Sequence, residues 1–436
     1  MIQQQRVPAF VLRRTQKEYT APRTVTIDSP DELPVRWRQF IIFFLFIPLF
    51  GELFHYLKPL PPLWALSKAF PILTLPLCFF AWKDGPMPRG SRQIMLSLLY
   101  WFLVPSFIAI FTFHQNFFLG LTAQVKLLPV LYFFSFTGFL RLLKPTSSEI
   151  AKSFLLWGLV LLAILVLMWL VVPQSVYDEV HKATDGPIFS HDSRGNRIRM
   201  PYIFGTIGTF YCFRRFFAEK KILWLLGSFA GFASVMGIIR MRAAVLGIAM
   251  VYAVNTVRFS KPRTRIIILA LLPLAGAALL SVPYVASTFD TSSQTGFDLR
   301  RGTLEKAIAF LGTDPLRWMF GVGSITPLDV TGMMRFFNHQ FFLADISWMG
   351  NIFEFGILGT VLLALLPLRG LWESRNVRPT RQGAFLGSLQ DYLLYTIFIS
   401  GGYPFTMVPG EFAVILAILV YESGRYGAND PRFHYA

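Results

Sequence analysis

SFLLWGLVLLAILVLMWLVV, residues 153–172, contains no charged side chain over twenty positions. As an α-helix it would rise about 30 Å, the thickness of the hydrocarbon core of a bilayer. Similar apolar runs occur on either side of it, at about 40–57, 64–82, 94–113, 117–140, 200–214, 222–239, 243–257, 266–285, 346–368, 384–400 and 410–422. With 54% hydrophobic residues and a mean hydropathy of +0.51, the chain has too little polar surface to cover a soluble domain of this size. The expected fold class is therefore all-α: a polytopic bundle of about twelve spans. The expected organisation is a basic tail at 1–39, a membrane domain at 40–422 and a short tail at 423–436. Residues 1–39 contain no apolar stretch followed by a small-residue cleavage site, so the first helix reads as an uncleaved anchor.

The net charge of +17 acquires meaning against that topology. Most of the 41 basic residues fall in alternate connecting segments: the N-terminal tail, 83–92, 141–152, 214–221, 258–265, 369–381 and the C-terminal tail. The short turns near 114–116 and 401–410 carry none. This asymmetry is an orientation signal, with both termini and the basic segments cytoplasmic. Once the charge is read this way, a nucleic-acid partner is an unneeded explanation. Cys78 and Cys212 lie far apart in apolar segments and imply neither a disulfide framework nor a thiolate metal site.

Basic residues on the opposite side break the pattern and become the candidates for function. They fall in a loop at about 173–199 with Lys182, Arg194, Arg197 and Arg199, in the turn GIIRMRAAVLG (237–247) with Arg240 and Arg242, and in a long loop at about 286–345 with Arg300, Arg301, Lys306, Arg317 and Arg335. Guanidinium groups grip phosphate through parallel hydrogen bonds. An extracytoplasmic phosphate at a bilayer surface most simply belongs to a lipid headgroup, so these arginines are candidate diphosphate ligands. The plainer alternative is that Arg301 pairs with Glu305, four residues on, and that anionic lipid satisfies the others. Within the long loop, DLRRGTLEKAIAFLG should form an amphipathic helix with Leu304, Ala307, Ile308 and Leu311 on one face, closed by turns at TDPLRW and GVGS.

The segment FNHQFFLADISWMGNIFEFGILG places Asp345 at the outer mouth of an apolar helix and His339 six residues earlier. Either side chain is a candidate general base. Desolvation at the boundary would push the Asp345 carboxyl up and nearby arginines would push it down, while helix capping is its structural alternative. Lys126, Gln124, Lys68, Glu354 and Asp391 lie in or near apolar spans, where ionisable groups are either functional or paired with one another. Of these, Lys126 and Glu354 form a second tier of candidates. No HExxH, phosphate-binding glycine loop, GxSxG elbow or acidic metal cluster is present, so no metal and no cofactor is expected.

Four pieces, RGNRIRMPYIFG (194–205), GIIRMRAAVLG, RRGTLEKAIAFLGTDPLRWMFGVG (300–323) and DISWMGNIFEFGILG (345–359), together resemble the superfamily of O-antigen ligases and Wzy-type polysaccharide polymerases. The resemblance implies a metal-independent glycosyltransferase of the bacterial inner membrane. Its substrate would be a polyprenyl (undecaprenyl) diphosphate-linked oligosaccharide, with arginines on the diphosphate and a base on the acceptor hydroxyl. Ligases of this superfamily commonly carry His eleven residues before the first glycine of the GilG motif, a position held here by Asp345. That difference favours a repeat-unit polymerase over a ligase acting on a lipid acceptor. Chain-length-control or export proteins are implied partners. Rival readings are the ligase itself, a flippase for lipid-linked oligosaccharide and a noncatalytic subunit of a secretion complex; a flippase would show internal repeats and many intramembrane cations, which are not seen.

Overall fold

The computed structural model describes residues 35–54, 57, 60–83, 87–179, 188–192, 195–281, 297–325, 336–337, 341, 343–377, 380–381, 383–400, 406 and 409–426. Helix of all kinds makes up 82% of them. The helices are α1 (Trp37–Phe50), α2 (Pro61–Leu73), α3 (Leu75–Lys83), α4 (Ser91–Phe113), α5 (Phe117–Ala123), α6 (Tyr132–Leu143), α7 (Ser147–Val171), α8 (Ile203–Glu219), α9 (Ile222–Ser234), α10 (Arg242–Phe259) and α11 (Pro262–Ser281). They are followed by α12 (Phe297–Leu311), α13 (Pro315–Phe320), α14 (Trp348–Glu373), α15 (Ala384–Ile399) and α16 (Pro409–Tyr426).

Each of the twelve apolar runs coincides with helix, and seven helical stretches are long and apolar enough to cross a membrane. The chain is a multi-pass membrane protein by that measure. Its surface is inverted relative to a soluble protein: on α7, Leu159 is 63% and Leu170 76% exposed, whereas Glu149 and Asp391 are fully buried. Apolar side chains turned outward suit a lipid solvent, and the buried Glu149 and Asp391 are paired inside with Arg36 and Arg214. A capping box between Thr146 and Glu149 starts α7, and the Asn116 side chain accepts from the Phe118 amide to start α5. The main core runs through α1, α6, α7, α8, α15 and α16, while a second cluster gathers Phe113, Ala307, Leu311, Phe337, Phe341 and Phe353.

The segments read as cytoplasmic are tied to one another. Arg36 pairs with Glu149 at 3.1 Å, Arg89 and Arg369 with Glu373 at 4.0 and 2.6 Å, and Arg381 with Glu219 at 3.8 Å. Ser147 donates to Glu422 at 2.6 Å, and Arg141 to the Ala81 carbonyl at 2.5 Å. These segments thus share one face of the bundle.

Four expectations need correction. The run at 117–140 is not one α-helix: between α5 and α6 the chain tightens into a 3-10 segment, Gln124–Leu131, because Pro129 lacks the amide that would bond to Val125 and crowds that carbonyl. The loop at 173–199 is not wholly irregular. It folds a three-stranded sheet of β1 (Asp178–Glu179), β2 (Phe189–Asp192) and β3 (Gly195–Ile198), with β1 parallel and β3 antiparallel to β2. TDPLRW is not just a turn, since Asp314 caps α13 by accepting from the Leu316 amide at 2.9 Å. On α12 the buried face is Thr303, Ala307 and Leu311, while Ile308 is 43% exposed.

Candidate functional site

The 3-10 segment within the 117–143 stretch sets one wall of a cavity of about 770 Å³. Thr122, Lys126 and Pro129 contribute from the 3-10 side, Lys68 from α2 and Glu52 from the turn after α1. Asn351 and Glu354, in the first two turns of α14, close the opposite wall, and Leu343 and Ala344 form part of its rim. All of these residues lie toward the helix ends opposite the ion-paired basic face. Lys126 and Glu354, apart by 228 residues in sequence, meet here through a 2.5 Å contact between Nζ and Oε2. Gln124 is fully buried beside this wall, and neither of its amide atoms has a partner among the described residues.

Asp345 belongs to a single 3-10 turn, Leu343–Ile346, that leads into α14. Its backbone is therefore at the cavity rim, between Ala344 and the helix start, while its side chain lies outside the described part. His339 and Arg335 lie outside the described residues altogether, as do Arg194 and Lys182. Ser347, which joins the turn to α14, takes φ 48° and ψ −113°, a region costly for any residue but glycine. The sequence carries no signal of that strain, because a serine before a helix reads as an ordinary cap.

α14 itself is interrupted. Gly356 has φ 69° and ψ 177°, which removes the regular ladder at that point. Carbonyls freed just before the break are taken up from neighbouring elements, since Val322 N–H donates to Phe353 at 2.8 Å and Tyr100 Oη to Phe355 at 2.9 Å, and just after it Trp101 Nε1 donates to Gly359 at 3.0 Å. Gly321 and Gly356 lie back to back so closely that a Cβ on Gly356 would come within 2.2 Å of the Met319 carbonyl oxygen. On its other side Gly323 presses on α4, where a Cβ would meet the Pro105 carbonyl oxygen at 2.6 Å. GVGS is thus not a surface turn but a buried extended strap between α4 and the α14 break. Non-helical backbone at this depth is tolerated because protein surrounds it.

The arginines fall on two elements. Arg240, in the left-handed conformation at φ 52°, ends a π-helical turn, Val235–Ile239, and donates from Nε to the Gly237 carbonyl at 3.0 Å. Its guanidinium lies 5.5 Å over the Trp169 ring and flush against Gly195 of β3, where any side chain would collide with it. Burial pushes the Tyr177 phenol up, and the facing Arg240 opposes that shift. Arg197 on β3 donates to Ser190 at 3.1 Å, Arg199 follows the same strand, and Arg242 starts α10. The sheet, which the sequence did not announce, therefore brings Arg197, Arg199, Arg240 and Arg242 to one junction. Arg300 and Arg301 ride instead on exposed positions of α12, which packs against the Asp345 turn and α14. Arg301 pairs with Glu305 at 2.8 Å, as its spacing allowed.

Of the aromatic residues near the long loop, Phe337 and Phe341 stack on each other with centroids 4.0 Å apart in the second core cluster. Trp348 donates to Ser400 and Trp318 to the Gly312 carbonyl, both at 2.9 Å. These are packing roles. Among the described residues no cluster of His, Cys, Asp and Glu is arranged to hold a metal ion. The chain matches no protein-family model and no curated protein in sequence.

Proposed function

We propose that the protein is a membrane glycosyltransferase that polymerises polyprenyl-diphosphate-linked oligosaccharide repeat units. The observation that carries this reading is the meeting, at one cavity, of the Lys126–Glu354 pair and the turn that holds Asp345, a turn against which the helix bearing Arg300 and Arg301 packs. In this reading twelve helices span the bacterial inner membrane, both termini are cytoplasmic and the cavity faces the periplasm.

Asp345 takes the proton from the acceptor sugar hydroxyl, and that oxygen attacks the anomeric carbon of the donor chain. The bond from the anomeric carbon to the diphosphate oxygen breaks, its electron pair stays on the diphosphate, and arginine side chains stabilise the charge that develops there. No metal takes part in the step as written. The Lys126–Glu354 pair holds the 3-10 segment to α14 and so keeps the cavity walls at a fixed separation.

Incubation of the purified protein with its lipid-linked repeat unit, followed by separation of products by size, tests the proposal. A ladder stepping by one repeat is expected. Asp345→Ala should abolish the ladder at unchanged protein level, whereas Arg317→Ala, whose 3.6 Å pair with Asp314 is half exposed, should leave it within about twofold of wild type. Unchanged substrate with folded wild-type protein would overturn the polymerase reading, and glycan moved onto a separate lipid acceptor would replace it with a ligase.

A further inference from the structure

Glu52 lines the cavity and Glu411 is buried behind it, a pair of acids that the transfer chemistry does not use. Glu52, in the turn after α1, and Glu411, in the first turn of α16, are 6% and 4% exposed and face each other closely enough to interact electrostatically. Glu52 packs on Gly410, with Cδ 2.9 Å from where a Cβ would stand, and accepts from the Gly410 amide. Among the described residues its Oε2 atom is buried without a hydrogen-bond partner. The Tyr132 hydroxyl, at the start of α6, is also fully buried, without a partner among the described residues, and within the field of Glu52. Tyr392 on α15 donates to Glu411, and Tyr395 on the same helix faces it too. Lys68 on α2 faces Glu52. The other charges of the cavity, Lys126 and Glu354, cancel each other.

The wall therefore holds two carboxyls against one ammonium group. A net charge buried there is unfavourable, and a single proton removes it. We propose that Glu52 and Glu411 form a proton-binding site in the cavity wall, holding one proton between two carboxyls at neutral pH while Lys68 balances the charge that remains. Loss of that proton makes the wall negative and resists an anionic ligand, so anion entry and proton uptake are coupled.

Infrared spectroscopy of the full chain in lipid vesicles, titrated across neutral pH, reads this site directly and independently of any transfer activity. A protonated-carboxyl C=O band is expected at neutral pH, to be lost on alkaline titration. It should be absent from Glu52→Gln and Glu411→Gln, retained in Glu354→Gln, and shifted in frequency in Tyr132→Phe. The amide band of the same spectra reports whether each variant is folded. No protonated carboxyl at neutral pH in wild type, or a band indifferent to both Glu52→Gln and Glu411→Gln, overturns the proposal. Displacement of the band by sodium ions at constant pH overturns it in favour of a cation site.

Discussion

Arg214 shows how a single side chain can tie this bundle together. It is 2% exposed, chelates Asp391 through two hydrogen bonds of 2.5 and 2.6 Å, reaches Gln390 at 3.2 Å and lies over the Phe259 ring. Removing one partner leaves the other charge buried without compensation, so Asp391→Ala should cost about 3–5 kcal/mol, read as a large drop in the thermal midpoint in detergent or as loss of folded protein. Glu219 makes the contrasting case at the edge of the same face. Burial pushes its carboxyl up, but the Trp224 indole, Arg215 and Lys221 outweigh that and hold it below the ordinary carboxylate range. A lowered native value stabilises the fold fully above about pH 4.3, and the benefit drains away as pH falls below that toward the native value. Thermal midpoints of wild type and Glu219→Gln should therefore differ at neutral pH and converge in acid. Both residues were visible in the sequence only as charges near apolar runs. Arg215, Lys221 and Trp224 lie within five residues of Glu219, but the partner of Arg214 was not visible, because nothing local links positions separated by 177 residues.

The strap and the α14 break act as one element. In FEFGILG the apolar spacing continues straight through Gly356, so the sequence predicts an unbroken helix there; the interruption is decided by Gly321 approaching from another part of the chain. Gly356→Ala must place a methyl group at φ 69° against the Met319 carbonyl, and should lose more than the about 1–3 kcal/mol of backbone strain alone. Its thermal midpoint should fall clearly below that of Gly302→Ala, where a Cβ meets nothing within 4 Å. The amphipathic reading of α12 succeeded for Ala307 and Leu311, which obey helical spacing. It failed for Ile308, since the neighbour that decides exposure is the turn before α14. The sheet that gathers Arg197 and Arg199 escaped notice for a related reason: strands of two to four residues are too short to establish an alternating pattern.

At the scale of the whole molecule, the alternation of basic and uncharged connections separated the two faces, because that signal sums over many residues and needs no knowledge of contacts. The ion pairs that join those basic segments place them on a shared face. Single cysteines introduced at Arg89, Lys144, Lys220 and Arg375, with Cys78 and Cys212 replaced, should react from the same side of sealed vesicles. Cysteines at Asn116, Val176 and Met241 should react from the other side; mixed reactivity within either set would refute the two-face arrangement. The partner of the buried Arg214, 177 residues further along, has a consequence for biosynthesis. At about 5–20 residues per second, a ribosome needs roughly 10–35 s after making the arginine to deliver its aspartate. Throughout that interval the nascent chain cannot close around α8 without stranding a cation. Late helices are thus prerequisites for the early ones to settle, and translation arrest before α15 should yield an inserted but protease-sensitive intermediate.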